Sequence, residues 1–199
     1  EVGGADLGTA GRGVAVSGRY AYVVHGSVAG NDFKIFNIAN PASPVEVGGA
    51  DLGTFGFGVA VSGRYAYVTQ ASAAGNDFRI YDISNPASPV EVGGADLGNT
   101  GRGVYVSGRY AYVVHGSVAG NDFKIFNIAN PASPVEVGGA DLGTFGFGVA
   151  VSGRYAYVLK DNAGITNDFV IYDISNPASP VEVGGADLGT AGRGVAVSG

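Results

Sequence analysis

The chain has 199 residues, 46% hydrophobic and 14% charged, with a formal net charge of −6 at pH 7. That apolar content excludes charge-driven disorder, and three lysines in an acidic chain argue against a nucleic-acid or anionic-lipid surface. Cysteine is absent, which removes disulfides and thiolate metal sites, and no apolar run approaches the roughly 18 residues of a membrane-spanning helix.

The segment that opens at Glu1 returns at Glu46, Glu91, Glu136 and Glu182, a period of 45 residues (46 in the fourth copy). Full repeats cover 1–45, 46–90, 91–135 and 136–181, and a partial fifth, 182–199, is identical to 1–18. A fixed period of this length marks a repeat architecture, in which each unit buries its apolar faces against its neighbours.

Within the first repeat, residues 13–17 (GVAVS) alternate and are β-branched, which predicts a strand closed by the Ser17-Gly18-Arg19 turn. Residues 20–24 (YAYVV) are its hairpin partner. A variable loop over 25–31 leads to a third strand over 32–38 (DFKIFNI). Two prolines in Asn40-Pro41-Ala42-Ser43-Pro44 force a turn, since proline cannot donate to a central ladder. Residues 45–47 (VEV) are the fourth strand, and the glycine-rich stretch beyond connects to the next repeat.

Four strands per repeat match the blade of a β-propeller, and the predicted class is all-β, a propeller of four-stranded antiparallel blades. Side-chain size agrees. Val14, Ala15 and Val16 are small, whereas Tyr20, Tyr22, Phe33 and Phe36 on the next two strands are large. Such grading fills wedges that open away from an axis. A β-solenoid is the rival, but its coils usually lack this grading and the paired prolines.

The third strand and its exit, residues 78–86 (FRIYDISNP) and 169–177 (FVIYDISNP), resemble the LVIVD repeat of bacterial and archaeal surface proteins. The resemblance covers every repeat, although Asn37 and Asn127 stand where the pattern has Asp. It implies a β-propeller, an extracellular or cell-surface location in a prokaryote, and no shared enzymatic activity.

The repeats form two alternating types. Copies two and four carry Phe55-Gly56-Phe57 and Phe145-Gly146-Phe147 where copy one has Ala10-Gly11-Arg12. Copies one and three differ at Thr9/Asn99, Ala10/Thr100 and Ala15/Tyr105. Much of the variation falls in the loop before strand one and the loop between strands two and three, which an up-and-down blade places on one face. There, His25 and His115 beside Arg12 and Arg102 are candidate ligand-binding residues for an anionic or carbonyl-bearing group; the alternative is solvated loop residues. Phe57 and Phe147 are either exposed stacking platforms or plugs of the seam between blades.

Recurring aspartates (Asp6, Asp51, Asp96, Asp141, Asp187 and Asp32, Asp77, Asp122, Asp168) suit turn closure, and Asp82 and Asp173 suit bracing of the Ile-Ser-Asn-Pro turn. A Ca²⁺ ring is the competing use, without a D-x-[DN]-x-[DN]-G loop to support it, so no cofactor is expected. No catalytic motif is present, and catalytic residues are expected to be none.

These observations point to a non-enzymatic structural or adhesive repeat protein acting through self-association or a surface partner, as a homo-oligomer or polymer. A lectin-like binding propeller and an amplified or engineered symmetric scaffold are the alternatives. The chain starts and stops within a repeat, and a longer natural array is the expectation. Tyr105, on an otherwise small-residue strand, is expected either to overpack one seam or to turn into the central channel.

Overall fold

The computed structural model describes residues 2–26, 30–71, 75–116, 120–161, 167–190 and 192–198. Glu1, part of the variable loop between the second and third strands of each repeat, and residues 191 and 199 lie outside the described residues.

Each repeat forms one antiparallel sheet in simple sequential order. The first blade comprises β1 (Gly11–Ser17), β2 (Tyr20–His25), β3 (Phe33–Asn37) and β4 (Val45–Ala50). The second comprises β5 (Gly56–Ser62), β6 (Tyr65–Gln70), β7 (Phe78–Asp82) and β8 (Val90–Ala95). The third comprises β9 (Gly101–Ser107), β10 (Tyr110–His115), β11 (Phe123–Asn127) and β12 (Val135–Ala140). The fourth comprises β13 (Gly146–Ser152), β14 (Tyr155–Lys160), β15 (Phe169–Asp173) and β16 (Val181–Ala186). The arrangement is the expected all-β, propeller-like one, and among the described residues no helix could cross a membrane.

Blades pack through their first strands, β1 on β5, β5 on β9 and β9 on β13. Three apolar clusters fill the seams. Phe33, Phe78 and Phe123 are fully buried, and each meets a ring of the following blade: Tyr81 at 5.4 Å, Phe126 at 5.3 Å and Tyr172 at 5.4 Å between centroids. The side-chain grading works as the sequence implied, with small groups on the first strands and aromatic ones farther along the sheet.

The second strand ends one residue later than expected and the third is one residue shorter at each end, while the fourth and first strands differ more. The fourth strand runs on through Gly48-Gly49 to Ala50, where a connecting stretch was expected. Glycine is needed for close approach: a Cβ on Gly48 would lie 2.2 Å from the Pro86 carbonyl oxygen of the next blade's proline turn. Gly93 and Gly138 repeat the contact with Pro131 and Pro177, and Gly3 makes it with Pro41. Residues 2–7 therefore sit where the outer strand of a preceding blade would lie.

The first strand also starts earlier than expected, at Gly11, and its opening residues are irregular. Gly11 faces His25 and Gly13 faces Val24, so Arg12 is the extra residue of a β-bulge. The same irregularity falls at Phe57, Arg102 and Phe147. Beyond β13 the series continues with residues 193–195, since the nearest neighbours of Gly148 are the Arg193 carbonyl oxygen and Val195.

Tyr105 neither turns into a channel nor stands unsupported. It packs on the seam between the third and fourth blades, while Val104 and Val106 of the same strand point to the second. Alternation along the strand decides this.

Candidate functional site

The four first-strand bulges place Arg12, Phe57, Arg102 and Phe147 together, and with Arg193 of the next unit they line a cavity of about 250 Å³. Sequence distance between neighbours is about one repeat, and only propeller stacking makes them adjacent. Closeness is set by the glycine after each bulge. A Cβ on Gly13 would meet the Phe57 carbonyl oxygen at 2.8 Å, and one on Gly58 the Arg102 carbonyl oxygen at 2.6 Å.

Cation and ring alternate along this row. The Arg12 guanidinium carbon lies 4.5 Å from the Phe57 ring centre and 5.6 Å from that of Phe55. Arg102 lies 4.7 Å from Phe147, 5.6 Å from Phe145 and 5.9 Å from Phe57, and Arg193 lies 4.9 Å from Phe147. All fall within the distance at which a cation is attracted to a ring face.

Among the described residues the three arginines form no ion pair. The described ion pairs use Lys34, Arg64, Arg79, Lys124 and Arg154, and the described hydrogen bonds include none from Arg12, Arg102 or Arg193. Arg102 is half-buried, with its Nε enclosed and unbonded. Burial, then the positive charges of Arg193 and Arg12, pull its guanidinium below the usual arginine range, with Asp161 acting in the opposite direction.

Of the residues singled out from sequence, Arg12 and Arg102 share this cavity and His25 and His115 do not. Both histidines are 2% exposed, which sets aside the alternative of solvated loop residues. They hold the loop that follows. His25 Nε2 donates to the Asn31 carbonyl at 2.8 Å and accepts at Nδ1 from Thr9 Oγ1 at 2.9 Å; His115 Nε2 donates to the Asn121 carbonyl at 2.7 Å. A carbonyl only accepts, so the ring proton is on Nε2. In blade two Gln70 makes the same bond to the Asn76 carbonyl at 3.1 Å. Phe57 and Phe147 replace the histidines as partners of the arginines. The signal in the sequence was the Gly-Arg-Gly and Gly-Phe-Gly alternation, whose glycines flank each bulge.

The aspartates of the Ala-Asp-Leu-Gly stretches close turns, each Oδ1 accepting from the glycine two residues on at 2.7 Å. Asp77, Asp122 and Asp168 are buried and accept from Leu97, Leu142 and Leu188 amides. Among the described residues no group of three or more His, Asp or Glu is placed to hold a metal ion. Asp82 and Asp173 accept from Ser84 and Ser175 and pair with Arg64 and Arg154.

Iterated four-stranded blades packed through their first strands define a β-propeller-type repeat protein. The LVIVD repeat family matches residues 8–51, 57–96, 98–141 and 147–187, and the chain belongs to that family. No curated protein sequence matches it. In fold it is similar to the computationally designed Ika8 protein (TM-score 0.66, 11% identity, 96% of this chain and 53% of that one). A functionally unknown protein from Desulfotomaculum acetoxidans DSM 771 is similarly related (TM-score 0.65, 17% identity, 89% of this chain and 57% of that one). The designed Ika4 protein is covered more fully (TM-score 0.58, 10% identity, 83% of this chain and 91% of that one). The chain thus spans about half the length of the Ika8 and Desulfotomaculum proteins.

Proposed function

We propose that this chain is a non-enzymatic repeat scaffold at the surface of, or outside, a prokaryotic cell, acting by association with further copies of itself. The observation that carries the reading is the apolar face of β1. Val14 and Val16 are 67% and 63% exposed, whereas of their counterparts in the later blades Val59, Val149 and Val151 are buried and Val61, Val104 and Val106 half-buried. The same seam recurs between each pair of blades, so another copy of the array offers the chemistry that this face accepts, and a head-to-tail contact that does not close builds a filament. The polar groups support a role without catalysis: the histidines hold loop carbonyls, and the Ala-Asp-Leu-Gly aspartates close turns. The reading takes no cofactor.

Light scattering of the chain over a range of concentrations tests it. Self-association gives a mass above the 19.9 kDa of one chain, rising with concentration or stopping at a multiple. A Val14→Asp, Val16→Asp variant is expected to remain monomeric. A wild-type mass fixed at one chain at all concentrations overturns the reading.

A further inference from the structure

We propose that the cavity bounded by Arg12, Arg102 and Arg193 is an oxyanion-binding site, taking a small ligand that presents a phosphate, sulfate or carboxylate group, with Phe57 and Phe147 holding the guanidiniums in place. This goes beyond the association just described and does not depend on it.

Three features carry it. The first is charge. In a chain of net charge −6, three of the cationic side chains converge on one cavity of about 250 Å³, and none of them has a hydrogen bond or ion pair among the described residues. Like charges in a partly desolvated place repel, and an anion supplies what the protein withholds. Asp161 is the carboxylate whose charge reaches Arg102, where it opposes the effect of burial and of the other two cations.

The second is orientation. Each guanidinium has five N–H donors in one plane, so a ring against its face leaves the donor edges free for the paired oxygens of an oxyanion. Phe57 lies between Arg12 and Arg102, and Phe147 between Arg102 and Arg193, so each ring serves two cations. Arg102 Nε is enclosed beside Gly116, so at this arginine the terminal amino groups are the donors left for an anion.

The third is construction. Each of the four described bulged positions carries the extra residue of a first strand, a device that re-aims a side chain out of the pleat. Phenylalanine at every bulge would plug the seam at lower desolvation cost than arginine, and the alternation keeps cations at every second unit. The cavity is smaller than the usual pocket for a drug-sized ligand (about 300–1,000 Å³), which suits a small anionic group.

The test is calorimetric titration of the chain at low ionic strength with inorganic phosphate, sulfate and acetate, together with thermal unfolding in each anion and in sodium chloride of equal ionic strength. Saturable binding is expected, weakening as chloride is added. Arg102→Gln is expected to weaken it roughly tenfold or more, because hydrogen bonds to charged groups are lost. Arg12→Gln, at a more exposed position where folding is not at risk, is expected to weaken it in the same direction. Arg102→Lys keeps the charge, loses the planar fork, and should fall between wild type and Arg102→Gln. The anion-specific rise in unfolding temperature should disappear in Arg102→Gln. Preference for phosphate and sulfate assigns the tetrahedral group, and preference for acetate assigns the carboxylate; either supports the site. Absence of saturable binding to all three, or equal affinity in wild type, Arg102→Gln and Arg12→Gln, overturns it and leaves the arginines as packing between blades.

Discussion

Gly58 of the second blade faces the Arg102 carbonyl oxygen of the third so closely that a Cβ would lie 2.6 Å away, with Thr69 Oγ1 at 2.7 Å. Thr69 Oγ1 itself donates to that carbonyl at 3.0 Å, so the seam is a polar contact as well as an apolar one. Replacing Gly58 with Ala must therefore push the blades apart. Gly58→Ala is expected to destabilise by roughly 1–3 kcal/mol, the usual range for overpacking, as read by urea unfolding. Gly194, the same position three repeats further on, has no heavy atom within 4 Å of its would-be Cβ. Gly194→Ala should stay within about 0.5 kcal/mol of wild type.

Acid sensitivity is expected to reside in blades two and four. Arg64, then Ser84, hold the Asp82 carboxyl below the ordinary range; Ser175, then Arg154, lower that of Asp173 to about 2. Both folded values lie below the unfolded value of about 3.9, so their stabilisation is complete above about pH 4 and is lost as pH falls toward 2. Asn37 and Asn127 make the corresponding turn bond without a charge. An Asp82→Asn, Asp173→Asn variant should show a flatter urea midpoint between pH 4 and pH 2 than wild type.

His115 predicts a second pH dependence of the same sign. Burial is the main cause that lowers His115 below its ordinary value, so the unfolded chain takes up its proton first as pH falls. Stability held above about pH 6.5 is lost as pH drops through the folded value. His115→Gln copies Gln70 of blade two and keeps a donor for the Asn121 carbonyl. It should leave stability at pH 8 little changed and reduce the loss between pH 7 and pH 5, measured by thermal unfolding.

His115 Nδ1 is buried without a partner, whereas His25 Nδ1 has the Thr9 hydroxyl. The difference follows from Asn99, whose side chain is turned to the Thr100 amide. Asn99→Thr should supply the missing donor and stabilise by about 1 kcal/mol in the same unfolding assay.

Tyr105 covers its seam more fully than alanine does elsewhere. Val151 opposite it is 5% exposed, against half-buried Val61 in blade two. Tyr105→Ala is expected to cost about 1–2 kcal/mol, a half-buried share of what a large side chain contributes, and to loosen the fourth blade first in hydrogen exchange.

The sequence by itself determined the repeat, the four strands per blade and the place of the turns. These depend on local chemistry: alternation and β-branching make the strands, Gly18 at φ 57° turns the hairpin, and Pro41 and Pro44 stop the ladder. Turn aspartates were legible for the same reason, since each bonds an amide two residues away. The candidate site was half legible. Arg12 and Arg102 stood out as residues that differ between blade types, but their partners were read as the sequence-near histidines. Only the tertiary structure moved His25 and His115 into the interior and brought Phe57 and Phe147, each about one repeat away, against the arginines. A bulge that re-aims one side chain and a glycine that lets two blades touch act across a seam, and no local rule reports which residues of neighbouring repeats will meet there.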